Sequence, residues 1–164
     1  MDLKELAQAL NNVNECELSH LKCLINKHKE IIIIGNGGSN AIASHMAVDY
    51  TKFLDKKCFV PNASDLMTMI VNDYGAENMY SKFIEYTYSK DSLVILISSS
   101  GNSQNIINAN STASNLGLEI ITLTGFDRNN KLKSASSDLL NIWVNSKSYG
   151  VVEMAHHSIL HSAV

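Results

Sequence analysis

Residues 31–39 read IIIIGNGGS: four isoleucines, then glycines, an asparagine and a serine. An uninterrupted β-branched run suits a strand buried on both faces, as in a parallel sheet. The glycines Gly35, Gly37 and Gly38 remove Cβ atoms where the backbone must approach a ligand closely. Ser39 and Asn40 stand where an N-cap is expected. The pattern recurs, because a second apolar run at 93–97, LVILI, leads into SSSGNS at 98–103. Two such strand–loop–helix units set two small-residue loops at one end of one sheet. Backbone N–H groups and serine hydroxyls converging there, with helix N-termini behind them, make a cradle for an anion. The ligand implied is a phosphorylated small molecule.

Outward from these loops, strands are expected at 30–34, 57–60, 93–98, 119–124 and 139–144. Helical patterns fill the gaps at 40–54, 63–71, 76–88, 104–116 and 152–164, with a short helical turn at 131–134. Leu3, Leu6, Leu10 and Val13, then Leu21, Leu24 and Ile25, give an apolar face before the first strand. That face reads as one long N-terminal helix or two broken near residues 11–14. Strands alternating with helices point to an α/β fold of βαβ units, with a parallel sheet covered on both faces. The chain divides into an N-terminal helical segment, 1–28, suited to packing in an oligomer, and a domain over 29–164. Pro61, the only proline, suits a loop. The last helical pattern runs to Val164 without a stop signal, which points to a natural C-terminus further on.

Composition narrows the function. The 164 residues carry 13 Lys and Arg against 16 Asp and Glu, for a net charge of −3. A nucleic-acid surface would want a basic stripe, and here the cations are scattered with a single arginine, Arg128. Cys16, Cys23 and Cys58 form no CxxC pair and are odd in number, so they read as reduced thiols buried as small hydrophobes. The N-terminus is polar and amphipathic, unlike a signal peptide, and no apolar run is long enough to span a bilayer. Cytoplasmic metabolism is the expectation.

Three known phosphate or nucleophile motifs fail. Asn40 occupies the third glycine position of a dinucleotide fingerprint, and no acidic residue follows at the required distance. The Walker pattern lacks its Gly-Lys-Ser/Thr. The serines of SSSGNS do not complete a Gly-x-Ser-x-Gly run, since Asn105 stands where the second glycine would follow Gly101 and Ser103, which disfavours a nucleophile elbow. Proton-moving groups are present, however. His45 and Asp49 lie four apart on the helix after GNGGS, and Glu153, His157 and His161 share a face of the last helix, with His156 on a neighbouring one. Histidine–carboxylate sets at this spacing hold a divalent metal or perform acid–base catalysis.

Taken in order, GNGGS, His45-x-x-x-Asp49, Asn72-Asp73-Tyr74-Gly75, SSSGNS, the strand–loop IITLTG at 120–125 and the terminal histidines resemble the sugar isomerase (SIS) domain family. Within it, the chain is most similar to the phosphoheptose isomerases. The resemblance implies a flavodoxin-like three-layer αβα sandwich on a five-stranded parallel sheet. It also implies a homotetramer with shared active sites, and the conversion of sedoheptulose 7-phosphate to D-glycero-D-manno-heptose 7-phosphate for surface glycans. It places Asn36, Gly37, Ser39, Asp73, Ser98, Ser99, Ser100 and Ser103 around the sugar phosphate. It puts proton transfer on Asp49 and His161. In metal-bound members, zinc would fall on His45, Asp49, Glu153 and His161.

The chain departs from that family at four places. Asp49 replaces a glutamate and is shorter by one methylene, Glu153 replaces a glutamine, Phe53 an arginine and Gly150 an aspartate. A misplacement on the order of 1 Å can cost about 100-fold in rate. Glu153 in place of a neutral amide would tighten cation binding. Its reach is the difficulty, since eight residues span about 12 Å of helix axis. Alternatives stay open: an isomerase for another ketose phosphate, a sugar-phosphate-binding regulator, or a replication-initiator-binding protein. Members of the last kind lack the terminal histidine, which this chain retains at His161.

Overall fold

The computed structural model describes residues 1–135 and 140–164. Five strands form one sheet in the order β2-β1-β3-β4-β5, and every neighbouring pair is parallel. The strands are β1 (Glu30–Gly35), β2 (Lys57–Phe59), β3 (Ser92–Ser98), β4 (Glu119–Thr124) and β5 (Leu140–Trp143). Helices α1 (Leu3–Asn11) and α2 (Glu15–Lys27) precede the sheet. Helices α3 (Gly38–Leu54), α4 (Ser64–Tyr74), α5 (Met79–Thr87), α6 (Gln104–Asn115), α7 (Lys131–Ser134) and α8 (Tyr149–His161) follow or connect the strands.

The isoleucine run behaves as its composition demands. Ile31 and Ile33 face one core with α2, α3 and α8, while Ile32 and Ile34 face the other with α4, α5 and α6. All four are fully buried, and a strand covered on both sides has no position for a polar side chain. Leu93, Ile95 and Ile97 of β3 repeat the first pattern, Val94 and Leu96 the second. Fully burying a Leu, Val or Ile side chain contributes roughly 1.5–3 kcal/mol, so these two strands form the stable centre.

The break near residues 11–14 is real. Asn14 caps α2 by accepting from the Cys16 backbone N–H at 2.8 Å, and Asp2 caps α1 in the same way through Lys4. Ala9, Leu21 and Ile25 share a core with α3 and α8, and Leu6, Leu10 and Val13 pack against it. The apolar N-terminal face is therefore covered by its own chain from Leu6 onward, while Leu3 stays exposed. Cys16 and Cys23 are exposed and Cys58 is half-buried, in contrast to the burial expected of three small hydrophobes.

Other differences are local. The expected helix at 76–88 is split into a 3₁₀ turn, Ala76–Asn78, and α5, after Gly75 at φ +83° ends α4. Helix α8 begins three residues earlier than expected, behind Ser148. The fifth strand was expected from Leu139, which lies outside the described residues. Among the described residues, no helix is long and apolar enough to cross a membrane.

Candidate active site

The strand order reverses direction between β1 and β3, and in open α/β sheets ligands bind beyond the carboxyl ends of the strands at such a switch point. Both expected loops leave the sheet there. A cavity of about 140 Å³ opens between them, lined by Asn36 and Ser39 of the first loop and Ser98, Ser99, Ser100 and Ser103 of the second. Ligand pockets usually measure about 300–1,000 Å³. This one is smaller and has room for a single compact group.

The first loop turns at Gly37, whose φ of +53° is costly for a side-chain-bearing residue. Gly37, and neither Ser39 nor Asn40, is the N-cap of α3, and no side chain caps that helix. The backbone requirement at the turn overrides the capping preference of the later residues. Ser103 is the N-cap of α6 as its type suggests, yet its hydroxyl makes no capping bond. Two helices thus start beside the cavity without side-chain caps, which leaves partial positive charge facing it.

Within the second loop the serines divide their work. Ser98 Oγ accepts from the Gly101 backbone N–H at 3.2 Å, and Ser100 Oγ accepts from that of Asn102 at 3.2 Å. Both hydroxyls hold the turn. Ser99 Oγ is buried with no protein partner. An unpartnered buried hydroxyl costs about 1–3 kcal/mol, which a ligand oxygen would offset. Asn36 is fixed from two sides: its amide exchanges hydrogen bonds with that of Asn105 at 3.0 Å, and the Tyr80 hydroxyl reaches its Oδ1 at 3.0 Å and Gly35 O at 2.8 Å. Burial raises the Tyr80 pKa, which keeps the phenol a donor.

Tyr149 and Glu153 of α8 complete the lining. A Cβ placed on Gly38 would lie 2.5 Å from Glu153 Oε1, so glycine is what lets the carboxylate close over the first loop. Neither Gly37 nor Asp73 lines the cavity. Asp73 is exposed at the end of α4, where its Oδ1 accepts from Asn72 at 2.8 Å.

A second constellation gathers where α3 meets α8. Asp49 Oδ2 lies 3.2 Å from His45 Nε2 and 3.5 Å from His161 Nε2, and the two imidazole nitrogens are 3.3 Å apart. His157 joins them, with its ring 4.6 Å from that of His45 and 4.8 Å from that of His161. Burial, then the neighbouring His45 and His161, lower the His157 pKa, against the pull of Asp49. Its Nε2 is buried without a partner. Among the described residues, His45, His157 and His161 form the group whose ligand atoms all lie within 4.8 Å of one another. Of the four expected metal ligands, His45, Asp49 and His161 therefore come together, whereas Glu153 is seated in the serine-lined cavity.

Two buried bonds fix α8. His156 Nε2 donates to Thr124 O at 3.1 Å, and the Tyr50 hydroxyl donates to Leu160 O at 2.9 Å. Burial lowers the His156 pKa to about 4, so its ring is neutral. Tyr149, Asn105 and Tyr80 were not anticipated. Starting the last helix at 152 leaves Tyr149 in a loop, and the other two act through contacts between elements distant in sequence. His157 was visible on the shared face but had been given no role.

The αβα sandwich carries its two serine- and glycine-rich loops at the switch point of the sheet, and residues 3–125 match the SIS domain family. The chain belongs to that family, and it groups with isomerases. Phosphoheptose isomerase of Coxiella burnetii (strain RSA 493 / Nine Mile phase I) is 32% identical over 146 residues, covering 85% of this chain and 73% of the relative. The probable phosphoheptose isomerase of Thermoplasma acidophilum is 29% identical and covers 97% and 91%. In fold, the phosphoheptose isomerase of Neisseria gonorrhoeae superposes with a TM-score of 0.87 at 24% identity, over 98% of this chain and 90% of that one. The NanR protein of Vibrio vulnificus, complexed with ManNAc-6P, shares the fold more distantly, at a TM-score of 0.68 and 18% identity over 98% and 55%.

Proposed function

We propose that the protein is an aldose–ketose isomerase that converts sedoheptulose 7-phosphate to D-glycero-D-manno-heptose 7-phosphate for surface-glycan synthesis. The observation that carries this reading is the pairing of a hydroxyl-lined anion cavity with a separate carboxylate–imidazole constellation on the same helix pair. Ser39, Ser98, Ser99, Ser100 and Ser103, with Asn36, hold the phosphate by neutral donors and helix N-termini. Glu153 repels an anion, so it marks the sugar end of the cavity and accepts from hydroxyls there. Seating the phosphate orients the carbon chain toward Asp49, which converts binding into proximity.

Asp49 takes a proton from the carbon beside the carbonyl, and the C–H electron pair moves to give a cis-enediol. The protonated carboxyl then returns the proton to the adjacent carbon. His161 relays the accompanying proton between the two oxygens on its Nδ1, while its Nε2 lies within 3.5 Å of Asp49 Oδ2. The imidazoles and carboxylate fit a zinc ion: they are nitrogen and oxygen donors in one cluster, and a buried His157 nitrogen there lacks any other partner. Zinc at this position would supply Lewis-acid polarisation of the sugar oxygens. The same reading carries the homotetramer and the cytoplasmic setting expected of the family.

The direct test is turnover of sedoheptulose 7-phosphate by metal-stripped protein, with and without zinc. Appearance of the aldose phosphate supports the assignment. Tight binding without turnover would favour a regulatory SIS protein, and turnover of a different ketose phosphate would relocate the specificity.

A further inference from the structure

We propose that the divalent-metal centre of this protein is built from His45, Asp49, His157 and His161, with His157 in the place that the family resemblance gives to residue 153. Glu153 is thereby released to the sugar. The inference deepens the active-site reading above, but it concerns ligand identity and does not depend on which sugar is isomerised.

The first argument is metric. Tetrahedral zinc with bonds of about 2.0–2.1 Å to nitrogen and oxygen separates its ligand atoms by about 3.3–3.4 Å. The three edges joining His45 Nε2, Asp49 Oδ2 and His161 Nε2 measure 3.2, 3.5 and 3.3 Å. One face of a coordination tetrahedron is therefore already in place.

A fourth ligand must come from a residue beside that face. His157 is one helical turn before His161, and each of the three imidazoles offers a nitrogen within 4.8 Å of the others, so the His157 ring completes the tetrahedron by closing in by up to about 1.4 Å. Its Nε2 is buried and has no hydrogen-bond partner. A cation bound at that nitrogen would satisfy it.

Glu153 is committed elsewhere. Its carboxylate covers Gly38 so closely that a methyl group there would collide with it, and it lines the cavity with the serines. Reaching the imidazole cluster would require it to leave that contact.

The experiment titrates the chelator-stripped full chain with zinc, against a chromophoric competitor, and with cobalt(II), followed by its visible ligand-field absorption. His157→Leu should weaken zinc about 10-fold or more and dim the four-coordinate cobalt bands. Glu153→Ala should leave zinc affinity within about 2-fold, where loss of a metal-site partner costs about 10–100-fold. His157→Cys supplies a positive signature, a new thiolate-to-cobalt charge-transfer band absent from the parent chain. Circular dichroism checks that each variant is folded. Loss of affinity in Glu153→Ala with none in His157→Leu would overturn the proposal, as would a parent chain that binds neither metal. Absence of isomerase turnover with these metal results intact would count against the proposed reaction and leave the metal centre standing.

Discussion

The two ends of the sheet each carry a histidine set against carboxylates, and they treat it in opposite ways. At the end where β1, β3 and β4 begin, His28 is buried and both ring nitrogens are occupied: Nδ1 meets Asp91 O at 3.0 Å and Nε2 meets Glu119 Oε2 at 2.8 Å. Around it, Lys27 bonds Glu119 and Lys56 Nζ donates to the carbonyls of Asn26 and His28. His28 and then Lys27 lower the Glu119 pKa. At the other end, His157 has a buried nitrogen with no partner and Ser99 a buried hydroxyl with none. Saturated polar groups hold a structure together. Unsaturated ones, kept in place by the buried bonds around them, are what a ligand can use.

Substitutions can break that contrast, and the largest effect should be kinetic. Asp49→Asn and His161→Ala should each lower kcat by about 10²–10⁴-fold in a steady-state assay while leaving the urea midpoint nearly unchanged. A large stability loss would mean that this end is structural as well. His28→Ala should do the reverse. It should cost about 2 kcal/mol in urea unfolding, since a charged partner loses a buried bond, and leave turnover per folded molecule intact.

A third outcome concerns pH. His156 is neutral in the fold, with its pKa lowered to about 4 by burial, and an unfolded histidine titrates near 6.5. Between those values the unfolded chain binds more protons, so stability falls as pH drops. Going from pH 7 to pH 5 should cost about 2 kcal/mol from this group, measured by denaturant titration. His156→Gln keeps a donor for Thr124 and should flatten that part of the profile. The smallest effect is Ser99→Ala, which should raise KM about 10-fold without lowering stability, because the hydroxyl has no protein partner to lose.

Much of this arrangement was legible in the chain because local pattern and tertiary demand agreed. β4 has the expected bounds, 119–124, since its apolar run is closed by Gly117 before it and Gly125 after it. The doubled loop gave the cavity, because a strand, small residues and a helix start are all local features. Where local and tertiary demands conflicted, the reading slipped. Ser39 and Asn40 are good cap residues, yet the chain must turn two residues before Ser39, at Gly37. Gly150 lowers helix propensity at the start of α8, but the packing of Val151 and Val152 in the core carries the helix past it. Spacing placed Glu153, His157 and His161 on one face without revealing which would meet α3. That depends on how two helices distant in sequence pack against each other.

The two buried bonds on α8 reach beyond stability. With Thr124 O held by His156 and Leu160 O by Tyr50, the helix cannot slide or rotate without breaking a satisfied interior contact. The groups it presents on either side are thus preorganised before any substrate arrives, and no reorganisation is needed at the moment a charge develops.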